Sequence, residues 1–156
     1  MPRWSYSIKL RDEYKIAKAM LWDVPVHPKI TREVAVALRG MRLSEAKEFL
    51  RRVVERREAV PFKRYHGKQA HRRGLPDKWG WPSGRYPVKA AKYFLRLLDN
   101  AENNAEVKGL DIDRLRILHV ASHKGITLKR WTPRAFGRAS PRNRVTSHLE
   151  VIVVEE

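Results

Sequence analysis

The residues best suited to chemistry are basic and aromatic side chains gathered in residues 125–148. This segment contains six lysines and arginines and no acidic residue, with a tryptophan and a phenylalanine among the charges. Guanidinium groups form paired hydrogen bonds with phosphate oxygens, and aromatic rings stack on bases. The pattern therefore predicts contact with nucleic acid through Lys124, Lys129, Arg130, Trp131, Arg134, Phe136, Arg138, Arg142 and Arg144.

Three polar residues follow these charges: Thr146, Ser147 and His148. Their side chains could hydrogen-bond RNA sugars. They could equally satisfy the solvent side of a strand, where hydroxyl-bearing residues are common. Both interpretations stay open, and the three residues are included among the predicted RNA contacts.

A second basic region, the 60–87 segment, carries seven lysines and arginines against one acid, Asp77. Its four prolines and four glycines interrupt any helix or strand period. We expect a loop without regular structure that becomes ordered on RNA. The alternative is that its two tryptophans cover the edge of the core. The predicted RNA contacts here are Lys63, Arg64, Tyr65, Lys68, Arg72, Arg73, Trp79, Trp81 and Arg85.

Few residues could support catalysis. Asp111 and Asp113 have the two-residue spacing of metal-binding acids in nucleases, but Arg114 and Arg116 follow them directly, which favours ordinary surface charges. No cysteine or nearby carboxylate completes a metal shell around the histidines. We therefore predict no catalytic residue, no metal site and no cofactor. A metal-dependent nuclease, using the two aspartates and the histidines, is the alternative.

The charge balance selects the class of partner. The 156-residue chain has 34 lysines and arginines against 17 acids, a formal charge of +17 and a pI near 10.7. A polyanion relieves the self-repulsion of such a chain, and nucleic acid also releases counterions on binding. No basic helix has a clean apolar face, and no apolar run approaches the roughly 20 residues that span a bilayer. The sequence predicts a soluble intracellular protein that binds no membrane.

Three helices are expected from apolar spacing. The first begins at Pro28 and ends near Gly40, the second begins with Ser44 as its N-cap, and the third covers about 88–107. Strands are predicted at 115–122 and 145–154, the latter covered on both faces near its end. Residues 17–24 could be a strand and residues 11–19 a helical turn, with strand favoured next to Pro25.

These elements predict a single α+β domain over residues 1–156. Helices pack on one face of a small antiparallel sheet of about three strands. A long β-hairpin over 112–154, here called the hairpin, protrudes from this base. Its tip, residues 126–142, is expected to form no regular ladder, because of its prolines, its glycine and its charges.

Several blocks resemble a known family. They are TLKR at 127–130, PRA at 133–135, GRA at 137–139 and TSH at 146–148, preceded by LRG at 38–40 and SEA at 44–46. In this order they resemble the signature of the ribosomal large-subunit protein L-twenty-two family. The 60–87 segment is an insertion relative to the shorter bacterial pattern and resembles the archaeal and eukaryotic branch. The absence of a basic C-terminal tail favours the archaeal type.

The resemblance implies a structural, non-catalytic, cytoplasmic protein of the large ribosomal subunit that binds large-subunit ribosomal RNA and supports assembly. The base would lie near the exit of the nascent-peptide tunnel, and the hairpin would run inward with its tip near the constriction. Implied partners are neighbouring ribosomal proteins, including the L-four family protein, and the nascent peptide. No homo-oligomer is expected.

Overall fold

The start of the chain leads into an edge strand. The computed structural model describes residues 5–10 and 13–156. After a 3-10 turn at Glu13–Lys15, strand β1 runs over Ile16–Val24. The strand interpretation next to Pro25 is therefore confirmed. Of the alternative helical turn only that single 3-10 turn is seen, and residues 11 and 12 lie outside the described residues.

A three-stranded antiparallel sheet forms the centre of the base. It joins β1, β4 (Leu115–Leu128) and β7 (Arg144–Glu155) in the order β1-β7-β4. The central strand β7 buries alternate residues such as Leu149 and Val151, and Ile152, which points the opposite way, is also buried. The prediction that the last strand is covered on both faces is confirmed.

The helices are α1 (Pro28–Leu38), α2 (Leu43–Val54), α3 (Leu75–Trp79) and α4 (Val88–Val107). α4 packs on β1 and on α2, while α1 packs on β4. Phe49 and Phe94 lie fully buried at these contacts among leucines. The α+β fold class is confirmed, with one short helix, α3, beyond the three expected.

The starts of the first two helices differ in how well the sequence indicated them. Pro28 is the first residue of α1, as predicted, and the His27 Nδ1 atom accepts a hydrogen bond from the Lys29 amide at 3.2 Å. The prediction that Ser44 caps α2 is wrong, because Arg42 is the N-cap and makes no side-chain capping bond. The helix begins two residues earlier than the capping preference suggests, which includes the buried Leu43, 1% exposed, in its first turn.

The 60–87 segment is structured, and the expectation of an irregular loop is wrong. Strands β2 (Val60–Pro61) and β3 (Gly84–Arg85) pair antiparallel and close its two ends. α3 lies between them with Leu75 buried, and His71 forms an isolated bridge with Ser83. Gly84 permits this closure, because a Cβ there would lie 2.5 Å from the Val60 carbonyl oxygen.

The hairpin extends much further as a ladder than predicted. β4 pairs with β7 from Leu115 and Glu155 out to Leu128 and Arg144, with irregularities at two points. A second ribbon continues it, formed by β5 (Trp131–Pro133) and β6 (Ala139–Pro141). The expectation that residues 126–142 form no ladder is therefore wrong.

The register explains how prolines enter this ribbon. The Arg142 amide donates to the Arg130 carbonyl at 2.5 Å, and the Arg134 amide donates to the Arg138 carbonyl at 2.7 Å. Hydrogen-bonded and non-hydrogen-bonded pairs alternate in an antiparallel ladder. Pro133 and Pro141 occupy the intervening pairs, where no N–H is required, so the ladder tolerates them.

Candidate nucleic-acid interface

The tip has two chemically different faces. Thr132 lies opposite Ser140 in the β5–β6 register, and residues two positions apart share a face. The Arg134 Nε atom donates to the Ser140 hydroxyl at 3.3 Å, which fixes that side chain on the same face. This face, the basic face, carries Arg130, Arg134, Arg138 and Arg142. The opposite one, the uncharged face, carries Trp131, Pro133, Ala139 and Pro141.

The arginines of the basic face have no carboxylate partner among the described residues. Its arginines stand as two cross-strand pairs, Arg130 with Arg142 and Arg134 with Arg138. Like charges directly opposite one another destabilise a ribbon. All four are exposed, and none forms a salt bridge with any residue that the structure describes. An anion between the two strands would relieve both repulsions together.

A strained turn presents an aromatic ring at the apex. The Arg138 amide donates to the Ala135 carbonyl at 3.4 Å, which closes a turn with Phe136 and Gly137 at its centre. Both central residues have positive φ, 58° and 66°, as in the type I′ turns of hairpins. This conformation is unfavourable for phenylalanine, whose side chain is 98% exposed. The ring is therefore held out from the protein.

A basic cleft lies where the hairpin meets the base. It has a volume of about 510 Å³ and is lined by Pro25, His27, residues 130–132 and residues 142–145. Three of these are arginines, including Arg144, and none is acidic. Burial, with a smaller contribution from Lys29, lowers the pKa of His27 below its ordinary value. His27 is therefore neutral near pH 7, and the arginines supply the charge of the cleft.

The three polar residues after the tip form hydrogen bonds within the protein. The Ser147 hydroxyl donates to the Val26 carbonyl at 2.7 Å and is fully buried. Thr146 donates to the Asp23 carboxylate at 2.9 Å, and His148 Nδ1 accepts from the Asp23 amide at 3.1 Å. The geometry favours an internal role for all three. Their contact with RNA stays a prediction, whereas Lys124 beside them is exposed.

Asp23 organises this hairpin root and was missed from the sequence. It has φ of 45° at an irregularity in the β1–β7 pairing, and its Oδ1 atom also accepts from the Ile126 amide at 3.4 Å. A Cβ on Gly125 would lie 2.9 Å from that oxygen and 2.4 Å from the Thr146 hydroxyl. The only sequence signal was an aspartate, a residue that tolerates positive φ, near the end of a strand.

The 60–87 segment is fastened to the base through a buried carboxylate. Glu33 of α1 is 1% exposed and accepts hydrogen bonds from the amides of Lys63, at 3.0 Å, and Tyr65, at 3.2 Å. It also pairs with Arg32 at 2.9 Å. Sequence reasoning missed Glu33, because a Lys/Arg–Glu neighbour pair on a helix ordinarily indicates a solvated surface.

The two tryptophans of the segment contact residues of the hydrophobic core. Trp79 packs against Phe49 with ring centroids 5.9 Å apart, and the Trp81 Nε1 atom donates to the Phe62 carbonyl at 2.8 Å. These contacts favour the interpretation that the pair covers the edge of the core, and RNA contact stays a prediction for both. Lys78 adds a further attachment by pairing with Glu58 at 2.5 Å.

The other predicted contacts of the segment divide by exposure. Lys63, Arg64, Lys68, Arg73 and Arg85 are exposed, whereas Arg72 is partly buried. The Tyr65 ring is surrounded by cations, with Lys29, Arg32 and Arg64 placed 5.5 to 5.9 Å from its centroid. The exposed lysine and arginine side chains face solvent, as contact with RNA requires.

Asp111 and Asp113 have a local structural role. The Asp111 carboxylate accepts from the Asp113 amide at 3.1 Å, which caps the 3-10 turn Ile112–Arg114, and it pairs with Arg114 at 3.4 Å. Within residues 5–10 and 13–156, no group of three or more potential ligands could hold a metal ion. No helix in those ranges is long and apolar enough to cross a membrane.

Comparison with known proteins gives one consistent family. The sequence model described as ribosomal protein L22p/L17e matches residues 19–154. The protein named large ribosomal subunit protein uL22 is 70% identical in Aeropyrum pernix over 155 residues, covering 99% of both chains. Its Staphylothermus marinus counterpart is 62% identical with the same coverage. That of Methanocaldococcus jannaschii is 47% identical, covering 99% of this chain and 97% of its own.

Proposed function

The chain belongs to the ribosomal protein L22p/L17e family, with a structural role in the large ribosomal subunit, and we propose that its hairpin binds large-subunit ribosomal RNA and lines the nascent-peptide tunnel. The basic face of the tip carries this proposal. Two cross-strand arginine pairs without a described carboxylate partner match phosphate groups, which accept paired hydrogen bonds from guanidinium. Such contacts position RNA without reading its sequence.

The uncharged face supports the tunnel assignment. Trp131, Pro133, Ala139 and Pro141 form a strip that carries no charge and, at the two prolines, no N–H donor. A peptide passing such a strip finds few groups to bind, whereas the arginines hold the opposite side of the ribbon on RNA. The nascent peptide and the L-four family protein at the constriction are the partners proposed for this face.

The length and stiffness of the hairpin support a role in subunit assembly. The two successive ladders of the hairpin, from residue 115 to about residue 134, span on the order of 65 Å at about 3.3 Å per residue. One rigid element of that length can contact RNA segments that are distant from each other in the RNA chain. The protein would thereby hold these segments together while the subunit forms in the cytoplasm.

Binding to purified large-subunit ribosomal RNA tests the RNA role. Replacing Arg130, Arg134, Arg138 and Arg142 with glutamine should lower the magnitude of the log K against log salt slope by about 3, since each phosphate contact contributes roughly 0.7 to 0.9. The control removes the same charge from exposed residues elsewhere: Lys9, Arg51, Lys92 and Arg96. Equal slopes for the two variants would refute the assignment to the basic face.

Crosslinking in assembled subunits tests the two-faced tip. A photoreactive residue at position 134 should crosslink mainly to ribosomal RNA. The same residue at position 131 should crosslink to nascent peptide in translating ribosomes. RNA products alone from both positions would argue against the tunnel-facing role of the uncharged face while leaving RNA binding intact.

A further inference from the structure

A further cleft lies between the start of α1, the 60–87 segment and the start of α4, and no hairpin residue lines it. Its volume is about 650 Å³. The lining consists of residues 25–27, Ile30, Arg56, Phe62, Arg72 and residues 85–90. Volumes between about 300 and 1,000 Å³ are typical of sites for small organic ligands. The cleft is therefore large enough for a group the size of one nucleotide.

Four cationic side chains line this cleft: Arg56, Arg72, Arg85 and Lys89. No acidic residue is among its lining residues, and none of the four cations forms a salt bridge with a described residue. The Arg72 Nε atom is buried without a hydrogen-bond acceptor. A buried donor left unpaired costs about 1–3 kcal/mol. The unpaired donor belongs to a side chain that lines a cleft without acidic residues, which favours a ligand that carries acceptor oxygens.

The start of α4 adds positive potential to the same cleft. This 20-residue helix begins after Pro87 with no side-chain cap and no acid in its first turn. The first amides of a helix have no intrahelical acceptor and lie at the positive end of its dipole. Lys89 in this turn is exposed at the cleft. Together with the arginines, the helix start favours a phosphate group.

A flat surface lies beside these cations. The Arg72 guanidinium carbon lies 5.2 Å from the Tyr86 ring centroid, and both side chains line the cleft. Phe62, Ile30 and Val26 contribute apolar lining next to them. Unpaired RNA bases stack on tyrosine rings and on arginine guanidinium planes. The cleft thus combines the two chemistries of a nucleotide, an anion site and a stacking surface.

We propose that this cleft binds one unpaired nucleotide of RNA, with its phosphate between the cations and the start of α4 and its base against Tyr86 and Arg72. The inference rests on the proposed function, because the nucleotide belongs to the large-subunit RNA. It goes beyond that function in giving the 60–87 segment a specific task. The segment and α4 form a pocket that captures a nucleotide extruded from the RNA helices.

Affinity measurements with the full chain test the cleft. Arg72→Gln with Arg85→Gln should weaken binding to large-subunit RNA about 10- to 100-fold at moderate salt, since two phosphate-directed charges are lost. Tyr86→Leu should weaken binding about tenfold, whereas Tyr86→Phe, which keeps the ring, should bind as the unchanged protein does. Lys92→Gln with Arg96→Gln is the matched charge control, because both residues are exposed on α4 outside the cleft.

Crosslinking separates the possible outcomes. RNA containing 4-thiouridine should crosslink to a peptide containing residues 85–90, and single-stranded RNA should compete better than duplex RNA or inorganic phosphate. Equal competition by inorganic phosphate would overturn the nucleotide assignment and leave an anion site only. If the unchanged protein binds RNA and the cleft variants bind it as tightly as the control variant does, the proposal of a nucleotide site in the cleft would be overturned and the proposed function would stand. Failure of the unchanged protein to bind large-subunit RNA would overturn the proposed function. Thermal unfolding of each variant checks that it folds.

Discussion

The tip of the hairpin and the 60–87 segment have similar compositions and different structures. Both are rich in arginine, both contain proline, glycine and aromatic residues, and each has at most one acid. In the tip, the large aromatic side chains are exposed, Trp131 by 66% and Phe136 by 98%. In the 60–87 segment, Trp79 packs on Phe49 of the base, Trp81 donates to the Phe62 carbonyl within the segment, and the backbone is held by Glu33.

The difference comes from acceptors and apolar surface outside the two segments. The base offers the 60–87 segment the buried Glu33 carboxylate and the Phe49 ring. Beyond its junction with the base, the tip is held by backbone pairing of its own two strands. Composition indicates the same kind of partner for both segments. Whether each is fixed before RNA arrives depends on groups that composition does not show.

Loss of the Glu33 carboxylate should have the largest effect on stability. Glu33→Ala leaves the amides of Lys63 and Tyr65 without their acceptor in a buried site, and we expect a loss of about 3 kcal/mol in the free energy of unfolding. Urea denaturation measures this loss, and limited trypsin digestion should show faster cleavage at residues 63–73. Glu106→Gln, an exposed control on α4, should change stability by less than about 0.5 kcal/mol. A similar loss in both variants would remove the distinction between an anchored segment and a free tip.

A methyl group at the hairpin root should have the next largest effect. Gly125→Ala places a Cβ 2.4 Å from the Thr146 hydroxyl, and we expect a loss of about 2 kcal/mol from overpacking. Gly67→Ala is the matched control, because a Cβ there meets nothing within 4 Å. Hydrogen exchange of β4 and β7 amides should show local opening in the Gly125 variant only. Unchanged protection would mean that the root is more adaptable than its packing indicates.

Acidification should release part of the 60–87 segment and leave the tip unchanged. Burial raises the pKa of Glu58, but hydrogen bonds from Lys78 and Arg52 outweigh it, so that the pKa lies below its ordinary value. A lowered folded-state pKa contributes stability that is complete above the unfolded pKa, about 4.3, and is lost as pH falls through the folded value. Amide exchange around α3 should therefore accelerate below about pH 4.3, and Glu58→Gln should remove this dependence. The tip, residues 126–142, contains no acid or histidine and should show no such step. A step there would show that the tip is coupled to the base.

Regular periodicity was sufficient to predict the long elements. The apolar spacing of residues 88–107 predicts α4 with the bounds that the structure shows, and the alternation after residue 145 predicts β7. The extent of strand pairing towards the tip was underestimated. Pro133 and Pro141 fit into a ladder only because of their register across the hairpin. Register is a property of two strands and is not visible in either one.

The candidate interface was predictable in part, for a related reason. Charges and aromatic residues show in the sequence, and so the tip arginines could be singled out. The roles of Glu33 and Asp23 depend on amides and hydroxyls that are distant in sequence, such as the Thr146 hydroxyl 123 residues away. The cleft at Tyr86 likewise needs three separate segments to meet. Local patterns contain no information on such contacts.

Removal of the β5–β6 ribbon should have the smallest effect on stability, and it tests directly whether the tip, unlike the 60–87 segment, is independent of the base. Replacing residues 131–141 with Asn-Gly joins Arg130 and Arg142, a hydrogen-bonded pair, through the two-residue turn that suits a hairpin. The residues removed are exposed or partly exposed and contribute nothing to the buried core, so the free energy of unfolding should change by less than about 0.5 kcal/mol. RNA binding should weaken, because Arg134 and Arg138 are lost while the 60–87 segment stays in place. A loss of more than about 2 kcal/mol would instead show that the ribbon stabilises the base, and the cleft that Trp131 shares with His27 would be the contact responsible.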